Sequence, residues 1–281
     1  MKTEISVIIP YYHGSRFLPS LFEMLRANAA DLRENRGAGL EVLLVNDSPE
    51  EEIAVGGEYP FPVRILINPK NSGIHASRIN GLKAAEGEYI LFLDQDDRIS
   101  DDCLSSQLEH IGDADFVVGN GYDEEPGGGK HLIFSDRRQQ SCATDLNCHY
   151  YYNNLIRSPG QVLIRRASIP TYWSEHPLRN NGSDDAFLWI LMLCNGFRGV
   201  INENVVFVHV FTGQNSSGNN EAMLKSQREV TENLKGIASA PGMWAFRRRA
   251  EYYCLPGSLQ KLRYPDVGAF RKLYSHRHMG A

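Results

Sequence analysis

Short apolar runs alternate with helical patterns through the first hundred residues, and this alternation constrains the fold more than any other feature. Each run is mainly apolar instead of alternating between apolar and polar residues, which is typical of a strand buried on both faces. Strands that alternate with helices predict an α/β fold with a parallel, doubly wound sheet and right-handed crossovers. The predicted strands are Ile5–Pro10, Glu41–Val45, Val63–Ile67 and Glu88–Leu93, with helices at Phe17–Ala29 and about Ile74–Ala85.

A polar cluster follows each of these four strands. In an open parallel sheet the ligand crevice lies beyond the carboxyl ends of the strands. The sequence therefore predicts one binding site along that edge, built from several separate segments. The clusters are Tyr11–His13, Asn46–Ser48, Asn68–Ser72 and Asp94–Asp97.

The second half of the chain is less regular. Its strongest helix is predicted at Ser183–Cys194, and a polar loop follows at Thr212–Asn220. The tail is expected to hold one helix over Glu221–Ala238 and a second from a break at Pro241–Gly242 to Cys254. Further strands are expected at Ala114–Val118, His131–Phe134, Gln161–Ile164 and Val205–Phe211.

The cluster Asp94-Gln95-Asp96-Asp97 is the strongest candidate for a metal site. If the strand continues, its period of two places Asp94 and Asp96 on one face. Two carboxylates there repel each other unless a cation lies between them, and hard oxygen ligands suit Mg²⁺ or Mn²⁺. A solvated acidic turn is the other interpretation, and a second Asp-x-Asp triplet at Asp113–Asp115 is consistent with chance.

The segments before this cluster carry a family pattern. Asn71-Ser72-Gly73 leads into Ala76–Gly81 and Ala85–Tyr89, and the opening strand reads ISVIIPYY. Together they resemble the inverting family 2 glycosyltransferases, closely over residues 5–97 and loosely over 158–213. The resemblance implies a GT-A fold: a Rossmann-like, mostly parallel sheet flanked by helices, here with a helical C-terminal tail.

The resemblance also implies the reaction. A sugar passes with inversion from a nucleotide diphosphate, UDP by expectation, to a hydroxyl of a glycan or lipid-linked acceptor in polysaccharide or glycolipid assembly. Such an enzyme needs a nucleotide pocket, a divalent cation and a general base. On this basis residues 1–97 form the nucleotide-sugar-binding half of one domain, 98–220 its acceptor-binding and catalytic half, and 221–281 a basic helical tail.

By the same resemblance, Pro10 and Tyr11 wrap the base and ribose, Asp47 accepts a hydrogen bond from the base, and Arg78 faces the nucleotide. A turn-forming role is open for Asp47 and an exposed helix position for Arg78. The donor-binding set is Pro10, Tyr11, Asp47, Asn71, Gly73, Arg78 and Asp94.

For the metal, Asp96 is implied to bind the cation that bridges the phosphates, and Asp94 to face the ribose or the metal. His209 is implied as a third ligand, which favours Mn²⁺ over Mg²⁺; a core histidine is the alternative. Asp97, on the opposite strand face, is less expected as a ligand. The loop 212–218 has the glycines and hydroxyls of a lid over a diphosphate.

For the base, the resemblance points to the pair Asp184-Asp185 at the start of a helix, with Asp185 taking the acceptor proton and Asp184 as its neighbour. Alternatively, Ser183 caps the helix and the two acids only complement its dipole. A helix N-terminus lowers a carboxyl pKa, whereas the Asp184 charge and desolvation oppose that effect.

The sequence departs from the family pattern at three places. His13 stands where Asn is common, and Asn46-Asp47-Ser48-Pro49 replaces Asp-Asp-Gly-Ser, which bears on the choice of nucleobase. Ile79 separates Arg78 from Asn80, so Asn80 is not carried over.

The formal charge of -5 gives no reason to expect nucleic acid, but it is unevenly spread. From Glu221 onward there are 11 Lys+Arg against 5 Asp+Glu, while residues 1–220 carry a net -11. A basic helical tail suits peripheral contact with an anionic membrane, and a solvated face packed on the domain is the alternative. Nothing in the sequence indicates the oligomeric state.

Five scattered cysteines without a CxxC pair favour a reducing compartment. The N-terminus reads as lacking a signal peptide, and the longest apolar stretch, Ala186–Cys194, is too short for a membrane helix. The expected location is therefore the cytoplasm or, through the basic tail, the inner face of the membrane.

Two other classes fit the predicted architecture. A sugar-nucleotide nucleotidyltransferase needs a basic, Gly-rich loop after the first strand, which Pro10–Gly14 is not. A catalytically inactive binding module would not need Asp94, Asp96 and Asp185 together.

Overall fold

The computed structural model describes residues 3–211, 220–255, 257–269 and 272. Within them one sheet of nine strands is flanked by helices. The strands are β1 Thr3–Tyr11, β2 Gly39–Asn46, β3 Val63–Ile67, β4 Tyr89–Phe92, β5 Arg98–Ile99, β6 Phe116–Glu124, β7 Lys130–Leu132, β8 Val162–Arg165 and β9 Gly199–Val210. The α-helices are α1 Leu18–Arg36, α2 Ile74–Ala84, α3 Cys103–Ile111, α4 Arg137–Ser141, α5 Thr171–Glu175, α6 Asp184–Cys194, α7 Asn220–Asn233, α8 Ala240–Tyr253 and α9 Gly257–Arg263.

The strand order is β3-β2-β1-β4-β8-β6-β9-β5, and β7 pairs with β6. The four strands of the first half are parallel throughout, which confirms the α/β expectation. The second half mixes directions, because β8 runs antiparallel to both β4 and β6 while β9 runs parallel to β6. The carboxyl ends of β1, β2, β3 and β4 therefore lie along one edge.

Helix α1 packs its apolar stripe against the sheet and is longer than predicted. Leu21, Phe22 and Leu25 are buried as expected. Phe17 lies in the preceding helical turn rather than in the helix. The helix runs on to Arg36 because nothing stops it before Gly37, whose φ of 63° provides the left-handed C-cap.

The acidic cluster lies on a turn and not on a strand. Strand β4 ends at Phe92, and the Asp97 amide donates to the Asp94 carbonyl at 3.1 Å. The strand-period argument for placing Asp94 and Asp96 on one face was therefore wrong. What brings these carboxylates together is the reversal of the chain.

The helices of the tail differ from the prediction at their boundaries. Helix α7 ends at Asn233, and Pro241 and Gly242 belong to the first turn of α8 instead of breaking it. Proline is tolerated there because the first amides of a helix have no intrahelical acceptor. The Ser239 side chain caps the helix by accepting from the Gly242 amide at 3.2 Å.

The three consecutive arginines of the tail differ in their surroundings. Arg247 pairs with Glu251 and Arg248 with Asp266, whereas Arg249 is buried and donates to the His149 carbonyl. Membrane contact through the tail stays a prediction. No helix of the described residues combines the length and apolarity needed to cross a bilayer.

Candidate functional site

A cavity of about 530 Å³ lies at the carboxyl ends of the first-half strands. Helices of the second half and of the tail complete its walls. The predicted lid, loop 212–218, lies outside the described residues. Ten predicted site residues line the cavity: Pro10, Tyr11, Asp47, Asn71, Arg78, Asp94, Asp96, Asp184, Asp185 and His209.

Side-chain amides tie the strand ends to each other. Gln95, in the acidic turn, accepts from the Tyr12 amide at 3.1 Å and donates to the Tyr12 carbonyl at 3.0 Å. This pair fixes the turn beside the end of β1. The next residue, His13, has a φ of 46°, in the left-handed region where His, Asn and Asp are the enriched non-glycine residues.

Asp47 anchors the loop that leads into α2. Its Oδ1 accepts from Asn68 Nδ2 and from the Ser72 amide, each at 2.7 Å, and its Oδ2 accepts from the Gly73 amide at 2.8 Å. Gly73 itself is not part of the cavity wall, although it was predicted to bind the donor. Its φ of 88° and the closeness of Asn181 Oδ1 to any added Cβ (2.8 Å) explain why glycine stands there.

Arg78 lies inside the wall and joins two acidic segments. Its Nη1 donates to Asp184 Oδ2 at 2.6 Å and its Nη2 to Asp94 Oδ1 at 2.5 Å. Arg78 and Asp184 are each 3% exposed, so the exposed-helix alternative for this arginine is wrong. Burial works against the Arg78 charge, but Asp184 and Asp94 outweigh it and raise the Arg78 pKa.

Asp184 and Asp185 are adjacent carboxylates with opposite pKa shifts. Burial alone would raise the pKa of Asp184, but the charge of Arg78 lowers it. For Asp185, burial and then the Asp184 charge raise the pKa to about 7. Asn154 Nδ2 donates to Asp185 Oδ2 at 3.0 Å and holds the carboxyl in the wall. One acid is thus kept ionised and the other is poised to exchange a proton near neutral pH.

Ser183 occupies the N-cap position of α6 but its side chain makes no capping bond. Its hydroxyl is buried without a partner among the described residues. Arg78 holds the Asp184 carboxylate, while the Asp185 carboxyl accepts from Asn154 and from the Ala186 amide of the helix's own first turn. The catalytic role of the pair therefore stays a prediction beside its effect on the helix dipole.

The acidic turn concentrates charge around Asp96. Burial, then the charges of Asp97 and Asp94, raise the pKa of Asp96 to about 6. Asp97 is 3% exposed, and its Oδ1 lies 3.0 Å from His209 Nδ1. Burial lowers the pKa of His209, but the bond and charge of Asp97 outweigh it and raise that pKa.

The three predicted metal ligands share the cavity but do not form a cluster. No group of three or more His, Cys, Asp or Glu side chains is arranged for a cation in the described part of the chain. Asp94 is drawn toward Arg78 and accepts from Ser158 Oγ at 3.3 Å. His209 uses Nδ1 for Asp97, which leaves Nε2 as the nitrogen available for a ligand.

The donor chemistry of this turn nevertheless fits a hard divalent cation. Asp97 Oδ2 is buried without a partner among the described residues, next to a carboxyl whose pKa is raised by its acidic neighbours. Such crowding is relieved by a cation and by oxygen-rich coordination.

Several wall residues were not predicted. Asn154, Ser158 and Arg157 follow the Tyr150–Tyr152 segment, and Arg249 comes from α8. The polar run Asn153-Asn154 before an apolar pair was a visible but unspecific signal. Arg249 was counted only as part of the basic tail, because its contact with the cavity is tertiary.

Comparison with known proteins gives the family. The model for glycosyl transferase family 2 matches residues 6–173, more than half of the chain. The putative glycosyltransferase EpsH of Bacillus subtilis is 31% identical over 62% of this chain and 51% of its own length. The minor teichoic acid biosynthesis protein GgaB of the same organism is 35% identical over 41% of this chain and 13% of its length. The chain thus spans about half or less of these relatives.

Two solved structures share the fold. TarS residues 1–349 of S. aureus, in complex with UDP, matches with a TM-score of 0.56 and 14% identity over 98% of this chain and 91% of that one. The mannosyltransferase PcManGT of Pyrobaculum calidifontis, in complex with GDP-Man and Mn²⁺, matches with a TM-score of 0.54 and 14% identity. The match covers 96% of this chain and 74% of that one. They confirm the expected GT-A type of α/β architecture. Together with the family match over more than half of its length, this shows that the chain belongs to glycosyl transferase family 2.

Proposed function

We propose that the chain is a metal-dependent, inverting glycosyltransferase that moves a sugar from a UDP-sugar to an acceptor hydroxyl in polysaccharide or glycolipid assembly. The observation that carries the proposal is the pairing of Asp185, with a pKa near 7, and an acidic turn in one cavity. The UDP and GDP-Man complexes of the structural neighbours support a nucleotide-sugar donor. The teichoic acid relative supports a cell-surface polymer as the product class.

In the proposed reaction, Asp185 accepts the proton of the acceptor hydroxyl as its oxygen attacks the anomeric carbon. The new glycosidic C–O bond forms while the bond from that carbon to the diphosphate oxygen breaks, and the nucleotide diphosphate leaves with the electron pair. Asn154 orients the carboxyl of Asp185, and Asp184 stays ionised through Arg78. A base with a pKa near the working pH is the efficient choice for this step.

Asp96, Asp94 and His209 Nε2 would hold a Mn²⁺ or Mg²⁺ ion beside the diphosphate. When bound, the ion neutralises the charge that develops on the leaving group. Asp97 fixes the ring of His209 through Nδ1, so its role is to position a ligand. The nucleotide itself would lie against Pro10, Tyr11, Asp47, Asn71 and Arg78, while Gly73 would act from behind the wall through the loop that Asp47 holds.

We infer a cytoplasmic location from the scattered spacing of the five cysteines, which suits a reducing compartment. The acceptor in this proposal is a growing glycan or a lipid-linked one.

Nucleotide release from a panel of UDP-, GDP-, CDP- and dTDP-sugars, with and without Mn²⁺, tests the function. We expect release from the UDP-sugar and only with a divalent ion. Asp96→Ala should lower it by about 100-fold or more, since a metal supplies several kcal/mol of charge stabilisation. Asp113→Ala, in the other Asp-x-Asp triplet, is the control and should not change the rate. Release from no donor would indicate a catalytically inactive module, and metal-independent release would contradict the cation site.

The pH dependence of kcat/KM should report Asp185. Because its folded-state pKa is about 7, the basic form is lost as pH falls below that value. We expect kcat/KM to be level above this pH, to fall by about tenfold per unit just below it, and to fall more steeply below about pH 6, where Asp96 also gains a proton. Asp184 and Arg78 face this carboxyl, and both remain charged over the range, since their pKa values are shifted away from it. A flat profile from pH 5 to 8, with the protein shown to stay folded, would count against Asp185 as the base.

A further inference from the structure

Three arginines line the cavity, and their charges are balanced differently. Arg78 is paired with Asp94 and Asp184, and Arg157 Nε lies 2.8 Å from Asp123 Oδ2. Arg249 forms no ion pair with any residue in the described ranges. It is therefore the cavity arginine whose charge the described part of the protein does not compensate.

Arg249 is almost completely buried. Its side chain is 4% exposed, its Nη1 donates to the His149 carbonyl at 2.5 Å, and its guanidinium lies 5.0 Å from the centre of the Phe246 ring. A guanidinium has five N–H donors on three nitrogens, and the bond to the His149 carbonyl uses Nη1. Burial lowers the pKa of Arg249 to about 10, which shows that its charged form is disfavoured as it stands. An anion at this place would restore the balance.

The position of Arg249 relates it to the catalytic base. Its acceptor, His149, belongs to the helical turn Cys148–Tyr152, and the chain continues from there to Asn154. Asn154 is the residue that holds Asp185. Arg249 is thus bonded to the segment that positions the proposed base. The acidic turn belongs to a different segment, which follows β4.

We propose that Arg249 forms a subsite for an anionic group, a phosphate or a carboxylate, carried by the acceptor. This rests on the proposed function, since it assumes that the Asp185 side of the cavity receives the acceptor. Phe246 and Tyr253, also from α8, form the adjoining wall of the subsite. A planar guanidinium suits such a group because two parallel N–H donors match its two oxygens. The acceptor class is then an anionic glycan or polyol phosphate rather than a neutral sugar.

The test measures binding of inorganic phosphate and of glycerol 3-phosphate to protein saturated with UDP and Mg²⁺, so that the donor site is filled. We expect Arg249→Gln to raise the Kd for both by about 10- to 100-fold, the range for hydrogen bonds to a charged group. Arg249→Lys should raise these Kd values less. Arg247→Gln, on the exposed side of the same helix, should leave them unchanged. The UDP affinity should be the same in all four proteins.

Three results would overturn the inference. Unchanged phosphate affinity in Arg249→Gln would leave Arg249 a purely structural role. Loss of UDP affinity in that variant would assign the guanidinium to the donor diphosphate. If the Gln variant fails to fold, the test is made by NMR on arginine-labelled wild type. An Arg249 Nε resonance that does not shift when phosphate is added would then overturn the inference. Failure of the wild type to bind UDP would instead contradict the proposed function.

Discussion

Asp185→Asn should lower kcat by about 100- to 10,000-fold, the contribution expected of a general base, while the affinity for UDP stays unchanged. The amide keeps the size of the carboxyl and can still accept from Asn154, but it cannot take the acceptor proton. The measurement is the initial rate of transfer, or of donor hydrolysis, at pH 8, where the wild-type carboxyl is ionised.

This substitution also separates the two roles that a first-turn aspartate can have. Because the folded state raises the pKa of Asp185 to about 7, it favours a neutral group at this position. This preference opposes the loss of one of the two hydrogen bonds that the carboxyl accepts, from Asn154 and from the Ala186 amide. The free energy of unfolding of Asp185→Asn at neutral pH should therefore stay close to that of the wild type. If the acid served only the helix dipole, the variant would lose about 0.3–1 kcal/mol of stability and keep its activity.

Asp113→Asn is the matched control for this experiment. Asp113 is an exposed aspartate outside the cavity that pairs with Arg198 at the surface. We expect its variant to retain both turnover and stability. A wild-type rate in Asp185→Asn, with Asp113→Asn also unaffected, would mean that another group removes the proton.

The sequence predicted the parallel half of the fold because its strands are mainly apolar runs. Burial on both faces forces that pattern in β1, β2 and β4, whereas β3 lies at the sheet edge, contains Arg64 and is half exposed. The carboxyl ends of such parallel strands must meet at one edge. The polar clusters after β1, β2 and β4 accordingly line one cavity. The antiparallel insertion of β8 between β4 and β6 was not predictable, since strands of four residues carry no directional signal.

The detail of the site depended on contacts that no local pattern records. The acidic cluster was placed on a strand, although the chain turns after Phe92, because residues that follow an apolar run look alike in both cases. Arg78 bridges Asp94, 16 residues away along the chain, and Asp184, 106 residues away. Arg249 entered the cavity from a helix that sequence alone assigned to the tail.

Arg78→Met should produce the largest loss of stability, about 3–5 kcal/mol, because it leaves buried carboxylate charge without a partner. Asp184 carries most of this cost, since its side chain is 4% exposed, whereas that of Asp94 is 24% exposed and can be solvated. Urea unfolding at pH 7 gives the difference. Arg137→Met is the control, because Arg137 and Glu203 form an ion pair at 2.5 Å that is 72% and 52% exposed. Its loss should be about 0–1 kcal/mol.

A second substitution shows whether charge or packing is responsible. Asp184→Asn in the Arg78→Met background removes the unpaired charge, so it should restore a large part of the lost stability. The same change in the wild type should be destabilising, because it leaves Arg78 with Asp94 alone. The sum of the stability losses in the two single variants would then exceed the stability loss of the double variant, which indicates a direct interaction between the two side chains.

The pH dependence gives an independent check of the Arg78 charge. In the wild type, Arg78 lowers the pKa of Asp184 below 3.8, so the stabilisation is present above the pKa of the unfolded state and is lost as pH falls through the folded pKa. In Arg78→Met, burial raises the pKa of Asp184 instead, so protonation favours the folded variant as pH falls. The difference in the free energy of unfolding between wild type and Arg78→Met should therefore be largest at pH 7 and become smaller toward pH 4. An equal difference in the free energy of unfolding at pH 7 and pH 4 would assign the loss to the packing of the Arg78 side chain. The bridge would then have no electrostatic role in joining the acidic turn to the helix that carries Asp185.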